Sequence, residues 1–387
     1  MNGRRNDMRF SLAILLTALL WGMTALIPPE ADAGRVQVNG SFELRETYDN
    51  NAYLERRGKV GDFFTTIAPL VTLSYRGNRT DFDSESGASF FVYGKNEDLN
   101  GQFFHERAVL EYRLTPHLSL KAEDLFTYVN ERVGQPEDIS TNLVQSNSWW
   151  VGPVLRSDIG SRSHARMELL YGQTDFLGED SEEGELPNFG ESRANLYLDR
   201  EMTERILVYT SQEFTSREYK EDSAASFNGL LSQIGMRLRL GRRFSVNLSG
   251  GYNWIKFDDL GNQNGSVIEA SITYTPNHRT RATVGYDQIF TSDVFGNLFR
   301  QNRANLGLER EISPRSLLRL SSFYTLFDDG GSASPDNNYF GGDLSLEHKL
   351  RPRTSIITGV GYRQNAGTLE TDDFEGLRAT IGLRYDF

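Results

Sequence analysis

Residues 268–274 read Ile-Glu-Ala-Ser-Ile-Thr-Tyr, and the character of the side chain changes at every step. The even positions are apolar or aromatic, and the odd positions are polar or charged. The same alternation recurs at 236–240 and 281–286, and no stretch of helical length with a 3.6-residue period follows Gly34. Successive side chains of a strand point to opposite faces. The pattern therefore predicts an all-β chain whose strands have one apolar and one charged face.

Short turns separate these stretches at regular intervals, and the other connections are longer and more polar, as at 176–190 and 328–338. The predicted turns are 76–79, 115–117, 157–162, 200–204, 241–243, 276–279, 311–315 and 351–353. Eight hairpins with one strand at each end give about eighteen strands, and sixteen also fits because 130–165 is irregular. Short turns on one side, long loops on the other and a two-residue repeat are typical of an outer-membrane, antiparallel up-and-down β-barrel.

Composition excludes several other classes of protein. The chain has 387 residues, no cysteine and a net charge of −12. Without cysteine it has no disulfide framework and no thiolate metal site, and its negative charge argues against nucleic acid as a partner. A mean hydropathy of −0.49 excludes a helical membrane bundle. A propeller with a forty-residue repeat is an alternative, but the Gly-His and Trp-Asp signature is missing.

The N-terminus has the features of a secretory signal. Three arginines between residues 4 and 9 precede the apolar stretch 12–23, and Ala31-Asp32-Ala33 forms a small-x-small cleavage site. We expect residues 1–33 to be a cleaved signal peptide and 34–387 to be the mature barrel. The alternative is a membrane anchor, which the pair Pro28-Pro29 disfavours.

Aromatic residues recur eight to ten positions after the turns. At ~3.3 Å per residue and a tilt of ~40°, this spacing rises roughly 20–25 Å along the barrel axis. That is the height of the lipid-facing band, so an outer aromatic girdle is predicted, with chance placement as the alternative. Its members are Tyr128, Tyr171, Phe214, Trp254, Phe290, Tyr324 and Tyr362.

The last stretch, 377–387, alternates to the end of the chain, with Tyr385 and Phe387 on its apolar face. A final strand that ends on an aromatic residue predicts recognition by the bacterial barrel-assembly machinery. A buried terminal strand is the alternative interpretation.

Three residues conflict with this pattern. Asp124 falls on the predicted lipid face, where a charge is costly, and a bulge, a protonated carboxyl or an inward-turned carboxyl would relieve the conflict. Pro69 and Pro153 lie inside predicted strands, where each removes a hydrogen-bond donor.

The segment after the first strand carries a family resemblance. Residues 48–53 read Tyr-Asp-Asn-Asn-Ala-Tyr, and 61–69 read Gly-Asp-Phe-Phe-Thr-Thr-Ile-Ala-Pro. They resemble the opening of the putative β-barrel porin family of Gram-negative outer membranes, and the turn at 114–120 is similar to that family's turns. The resemblance is sharp over about residues 40–125 and implies an outer-membrane channel. Family members often lie beside exopolysaccharide or exosortase genes, which implies a conduit for glycan export with periplasmic polysaccharide-export proteins as partners. The family has no established catalytic residues.

If the apolar face meets membrane lipid and lipopolysaccharide, the charged face lines the interior, and barrels of this size hold an aqueous channel. Two interpretations stay open: an arginine-rich constriction for anionic solutes or acidic glycans, or a ladder of cross-strand ion pairs that holds the wall in register. The basic candidates are Arg107, Arg113, Lys121, Arg166, Arg237, Arg239, Arg281, Arg303, Arg319, Arg363, Arg378 and Arg384, and the acidic ones are Glu111, Glu123, Glu168, Glu309, Asp343 and Glu347.

Other chemistry has little support. The acidic stretch 179–185 could hold a divalent cation, but it lacks the spacing of a dedicated site, so no metal or cofactor is predicted. His105, His164 and His348 have no Ser or carboxylate that the sequence places beside them, so no enzyme is predicted. Three functions remain: an exopolysaccharide conduit, a general or anion-preferring diffusion porin for small solutes, and a plugged structural or adhesive barrel.

Overall fold

The computed structural model describes residues 34–130, 146–176, 188–220, 226–258, 261–292, 298–328, 337–366 and 373–387. The predicted signal peptide and the acidic stretch 179–185 lie outside these residues. No helix within the described ranges is long and apolar enough to cross a membrane.

Eighteen strands account for most of the described chain, with one turn of 3-10 helix at Glu97–Leu99. The strands are β1 (Arg35–Asp49), β2 (Asp62–Arg76), β3 (Thr80–Tyr93), β4 (Gly101–Arg113), β5 (Leu118–Asn130), β6 (Ser146–Asp158), β7 (Ser163–Phe176), β8 (Phe189–Thr203), β9 (Ile206–Tyr219), β10 (Phe227–Leu240), β11 (Phe244–Phe257), β12 (Gly261–Asn277), β13 (Thr280–Ser292), β14 (Leu298–Ser313), β15 (Ser316–Asp328), β16 (Asn337–Arg351), β17 (Thr354–Ala366) and β18 (Phe374–Asp386).

Each strand pairs antiparallel with its neighbours in sequence, and the sheet closes on itself. The closing pair joins β1 to β18, from Ser41 opposite Asp386 to Asp49 opposite Arg378. The predicted all-β, up-and-down barrel of eighteen strands is therefore confirmed, and the alternative of sixteen is excluded. Closure leaves no unpaired sheet edge along the wall, which is what a β-structure needs to span lipid.

The eight predicted hairpin turns all lie between consecutive strands, at what we call the turn end of the barrel. At 115–117, the Thr115 hydroxyl accepts hydrogen bonds from the backbone N–H groups of His117 and Leu118. The opposite, loop end has the longer connections. One of them is shorter than expected, because β11 and β12 pair as far as Phe257 opposite Gly261.

The two faces of the wall differ in burial. Large side chains such as Phe227, Phe257 and Tyr339 are almost fully buried on the inner face. Apolar side chains such as Val360 and Ile381 are exposed on the outer face. An apolar exterior over a largely polar interior is the expected arrangement for a barrel surrounded by lipid.

The prolines interrupt pairing without shifting it. The β2–β3 pairing skips Pro69 between Ile67 and Leu70 and resumes in the same register. The β6–β7 pairing likewise skips Pro153, between Val151 and Val154. Each strand loses hydrogen bonds at its proline but continues in the same direction.

Asp124 lies on the outer face, opposite Ala108 of β4 and Trp149 of β6. The β4–β5 register is continuous, so a bulge does not turn this carboxylate inward. Glu106, which the sequence pattern did not single out, lies on the same outer face of β4, two residues from Ala108. Asp124 and Glu106 are therefore two neighbouring acidic side chains on the lipid-facing surface, each near the middle of its strand.

Candidate functional site

The lumen wall is the candidate functional site, because the barrel register gathers the charged side chains there. Side chains at alternate positions of each strand share the inner face with Phe227 and Tyr339. The structure places every predicted lumen residue on this face. These are Arg107, Arg113, Lys121, Arg166, Arg237, Arg239, Arg281, Arg303, Arg319, Arg363, Arg378, Arg384, Glu111, Glu123, Glu168, Glu309, Asp343 and Glu347.

Part of the wall is a ladder of ion pairs between and along strands. Glu123 accepts from Arg107 of the neighbouring strand at 2.9 Å and contacts Lys121 of its own strand at 3.1 Å. Arg319 of β15 contacts Glu347 of β16 at 2.9 Å. Such pairs fix neighbouring strands in register and neutralise each other's field.

The same ladder continues around the barrel, through ion pairs between strands and ion pairs within one strand. Its further members are Arg113 with Asp81 at 3.1 Å, Arg156 with Glu111 at 2.5 Å, Arg166 with Glu168, Arg378 with Asp49 at 2.6 Å and Arg384 with Asp386 at 2.8 Å. Arg156 was not predicted, because it lies in the irregular region where strand register could not be assigned from the sequence.

The other five predicted lumen arginines differ from this ladder. No carboxylate oxygen of the described residues lies within 4.0 Å of Arg237, Arg239, Arg281, Arg303 or Arg363. The guanidinium of Arg237 lies 5.2 Å from the ring centre of Tyr209, and that of Arg303 lies 5.0 Å from Phe323. Of these five, Arg237, Arg239 and Arg281 are exposed and present their charge to the lumen, whereas Arg303 is directly opposite Asp287 and Nη1 of Arg363 is buried.

The local sequence explains why two of them have no acidic neighbour. Arg237 is opposite Leu207 of β9 and Asn247 of β11, and Arg239 is opposite Ser245. Neutral residues therefore flank Arg237 on both sides, and Arg239 lies between Ser245 and Arg205, so no carboxylate is directly opposite either arginine. Arg237, Arg239 and Arg281 are all exposed and lie near the turn end of the barrel.

A second charged cluster, which the sequence reasoning missed, lines the loop half of the wall. Glu191 is 1% exposed, and it contacts Arg193 of its own strand and Arg217 of β9, the latter at 2.8 Å. The Arg217 guanidinium lies 4.2 Å from the ring centre of Phe189. The Glu-x-Arg spacing at 191–193 could have revealed the first contact, whereas the contact with Arg217 needs the β8–β9 register.

This cluster borders a recess in the inner wall. The recess has a volume of about 340 Å³, and its lining includes Arg217, Glu213, Asn253 and Phe290. One side of it is apolar and the other carries balanced charge, so it adds no net charge to the lumen.

The predicted girdle residues lie on the outer face near the loop end, with one exception. Tyr128, Tyr171, Phe214, Trp254, Tyr324 and Tyr362 all occupy outer-face positions. Phe290 is only 4% exposed and packs with Phe227, Ile255 and Phe257 of the inner wall, so its assignment to the girdle is wrong. Gly265 provides the space for its ring, because a Cβ atom there would lie 2.4 Å from it.

The predicted assembly residues lie at the end of β18. Tyr385 and Phe387 are exposed on the outer face, with ring centres 6.4 Å apart. The backbone of Phe387 exchanges hydrogen bonds of 3.0 and 2.9 Å with Gly40 of β1. The last residue thus pairs with the first strand.

The histidines have partners that the sequence did not reveal. His105 lies 3.5 Å from Glu85, His164 lies 2.9 Å from Asp199, and His348 lies 2.9 Å from the Ser316 hydroxyl. The sequence placed no Ser or carboxylate beside these histidines, and the strand register brings such partners from other strands. In the described ranges no carboxylate hydrogen-bonds His348, and no group of three or more acidic or histidine side chains is arranged to hold a metal.

Comparison with known proteins agrees with this architecture. The outer membrane protein OpdK from Pseudomonas aeruginosa is 12% identical with a TM-score of 0.51, over 91% of this chain and 99% of that chain. OccAB1 from Acinetobacter baumannii is 9% identical with a TM-score of 0.50, over 90% of this chain and 97% of that chain. At these identities the likeness shows the fold alone. No curated protein sequence matches the chain.

The family model described as "Putative beta-barrel porin 2" matches residues 31–387, which is nearly the whole chain. The resemblance predicted from the opening segment is thereby confirmed and extends through the last strand. This chain is a porin-like barrel that belongs to the putative beta-barrel porin 2 family.

Proposed function

We propose that the protein is a passive outer-membrane channel that prefers anionic hydrophilic solutes. The observation that carries this proposal is the set of exposed lumen arginines without an ion pair, above all Arg237, Arg239 and Arg281. A channel in which every basic group was neutralised by a neighbour would have little reason to prefer one sign of charge. In this barrel some lumen arginines form ion pairs in the wall, and others are exposed without an ion pair.

The physical basis is local enrichment of counter-ions. Fixed charges in a narrow, low-dielectric passage focus the electric field and raise the local concentration of ions of opposite sign. The family and the fold support a channel rather than an enzyme. The solute crosses by diffusion, and the charged wall attracts it without catalysing a reaction.

Among anions, we propose an acidic glycan as the physiological solute, which makes the channel a conduit for exopolysaccharide export. This choice is supported by the genomic neighbourhood that the family resemblance implies. A general anion-preferring porin is the second candidate, and the same arginines support it. A plugged structural or adhesive barrel would be the correct assignment if the folded protein carried no current.

The test is single-channel recording of the refolded mature protein in planar bilayers, with and without tri-galacturonic acid. A steady current with anion preference, reduced by the acidic sugar and unaffected by neutral maltotriose, would support the glycan proposal. Anion preference without block would favour the general porin. Silence from protein shown to be folded by a heat-dependent gel shift would overturn the channel proposal.

Localisation has its own test. We propose that residues 1–33 are removed during export and that the barrel is inserted by the assembly machinery, which reads the end of β18. The intact mass of the protein from purified outer membranes should equal that of residues 34–387. A mass that included residues 1–33 would contradict cleavage.

A further inference from the structure

The segment between β1 and β2, residues 50–61, carries part of the family-like opening motif, and polar side chains at its start and at the strand ends that flank it are buried. Asp49, Asn51 and Asp62 are 1%, 0% and 1% exposed. Buried polar groups are retained where they satisfy hydrogen bonds that nothing else would satisfy. The contacts of these three residues therefore show what the segment does.

The first contacts extend the closing seam of the barrel. Strand β18 continues to Phe374, four residues beyond the point where β1 ends at Asp49. Over that distance Asn50 takes the place of the missing strand. Its backbone N–H donates to the Leu377 carbonyl at 3.1 Å, and its side-chain oxygen accepts from the Leu377 N–H at 2.7 Å.

Asn51 completes this cap and shapes the segment. Its amide nitrogen donates to the carbonyls of Glu375 at 2.8 Å and Glu55 at 2.7 Å, and its side-chain oxygen accepts from the Glu55 N–H at 2.9 Å. One side chain thus holds the segment both to β18 and to itself. An uncovered strand edge at this place would expose unpaired carbonyls.

The far end of the segment is tied to the next connection. The Asp62 carboxylate accepts from the backbone N–H groups of Lys95 at 3.0 Å and Asn96 at 2.9 Å. The Tyr53 hydroxyl donates to Asp98 at 2.8 Å. This bond raises the pKa of the Tyr53 hydroxyl, so the link persists at neutral pH and is lost only as pH rises through that raised value.

Leu54 shows where the segment lies. Its backbone has a φ of 56°, and its side chain packs against Phe323, Tyr339 and Phe374. These three aromatic residues belong to the inner face of β15, β16 and β18. The first part of the segment, as far as Leu54, therefore folds inward over the lumen wall.

We propose that residues 50–54 form a fixed constriction of the channel and that Asn51 is the positioning residue that holds them inside. This inference rests on the proposed channel function. Beyond Leu54, Arg56 contacts Asp373 at 3.3 Å and Lys59 contacts Glu375 at 2.6 Å. Glu375 shares the outer face of β18 with Leu377, so the chain has left the lumen by Lys59. The hydrogen bonds of Asn51 and the packing of Leu54 fix residues 50–54 against the inner wall, where they reduce the open cross-section of the channel.

Thiol labelling tests the position of the segment without requiring any current. The chain has no cysteine, so Leu54→Cys and Arg57→Cys each provide a single thiol. Leu54 is packed on the aromatic cluster, whereas Arg57 is exposed. With a water-soluble maleimide on refolded protein in lipid vesicles, we expect the Leu54→Cys thiol to react at least about tenfold more slowly. Equal rates would overturn the inward position.

Combining Leu54→Cys with Asn51→Ala tests the positioning role. Loss of the Asn51 hydrogen bonds should speed labelling about tenfold, the factor expected when buried donors and acceptors lose their partners. Asn228→Ala is the matched control, because Asn228 is exposed on the outer face and should leave the rate unchanged. An unchanged rate in the Asn51→Ala background would overturn the role of Asn51.

Conductance then tests the constriction itself. Asn51→Ala should raise the single-channel conductance above that of the unmodified protein and of Asn228→Ala. If Asn51→Ala fails to refold, Tyr53→Phe, which removes only the bond to Asp98, should produce a smaller rise. Equal conductance in a variant that labels rapidly would overturn the constriction. Silence of all variants would overturn the channel function, and the labelling would still decide where the segment lies.

Discussion

Arg378 Nε lies 2.6 Å from Asp49 Oδ2, and this ion pair joins the last strand of the barrel to the first. The two residues are directly opposite in the β1–β18 register. Asp49 also accepts the backbone N–H of Asn51 at 2.9 Å through its other oxygen. The end of the wall and the start of the inward segment therefore share one buried carboxylate.

Asp49→Asn should weaken the closing seam, because it removes the charge of a buried pair and keeps an oxygen for the Asn51 N–H. Truncating a buried ion pair costs several kcal/mol, and the partial exposure of Arg378 reduces the expected loss to about 2 kcal/mol. The heat-dependent gel shift should occur at a lower temperature. Arg384→Gln is the control, since its pair with Asp386 is well exposed and should contribute about 1 kcal/mol or less. Equal losses in both variants would contradict a special role for the seam.

Replacing Arg237 and Arg239 with Ser should reduce anion preference, because no carboxylate is directly opposite either arginine and none loses an ion-pair partner. The reversal potential under a KCl gradient measures this preference. The effect should be larger at low salt, since the Debye length falls from about 10 Å at 0.1 M to about 3 Å at 1 M. The control is the double variant Arg166→Ser with Glu168→Ser, which removes one charge of each sign. Unchanged selectivity after loss of Arg237 and Arg239 would argue against anion attraction there.

Asp124→Leu should stabilise the barrel in a bilayer, because it removes a charged side chain from the lipid-facing surface. Acidic side chains near the bilayer midplane cost less than the ~2–4 kcal/mol of basic ones, so the expected gain is about 1–2 kcal/mol. Urea unfolding in lipid vesicles measures it. Glu123→Leu at the neighbouring position should destabilise instead, since Glu123 pairs with Arg107 and Lys121 on the inner face. A loss of stability in Asp124→Leu would contradict the outward orientation.

Gly152→Ala should destabilise the wall beside Pro153. A Cβ atom at Gly152 would lie 1.8 Å from the carbonyl oxygen of Leu169, and backbone has to move to make room. Overpacking of this kind costs about 1–3 kcal/mol. Gly307→Ala is the matched control on the inner face of β14, where no atom lies within 4 Å of the added carbon. That variant should show no loss in the same unfolding experiment.

Much of the wall could be predicted because it depends on local properties. Alternation of apolar and polar residues fixes which face each side chain takes once the strands exist. That is why Arg237 and Arg239 lie on the inner face, and Trp254 and Tyr324 on the outer face, as the pattern indicates. The hairpin turns are likewise local, since residues such as Thr115 close them through bonds to their own neighbours.

The errors all concern contacts between distant parts of the chain. Phe290 has the spacing of a girdle residue, yet it packs into an inner cluster with Ile255, because the glycine at 265 leaves room for the ring. The partners of His164 and His348 also come from other strands. The opening motif could be linked to a family by its residues, but its role at the seam depends on β18, more than 300 residues away.

The sequence by itself determined the class of fold, the turn positions and the polarity of the two faces, and it left the number of strands at eighteen or sixteen. These follow from the two-residue period of a strand and from turn chemistry, both of which act over a few residues. Only the tertiary structure decided which arginines are neutralised, how the first loop enters the lumen and how β1 meets β18. Those outcomes depend on strand register and closure, which bring together side chains that no local pattern relates.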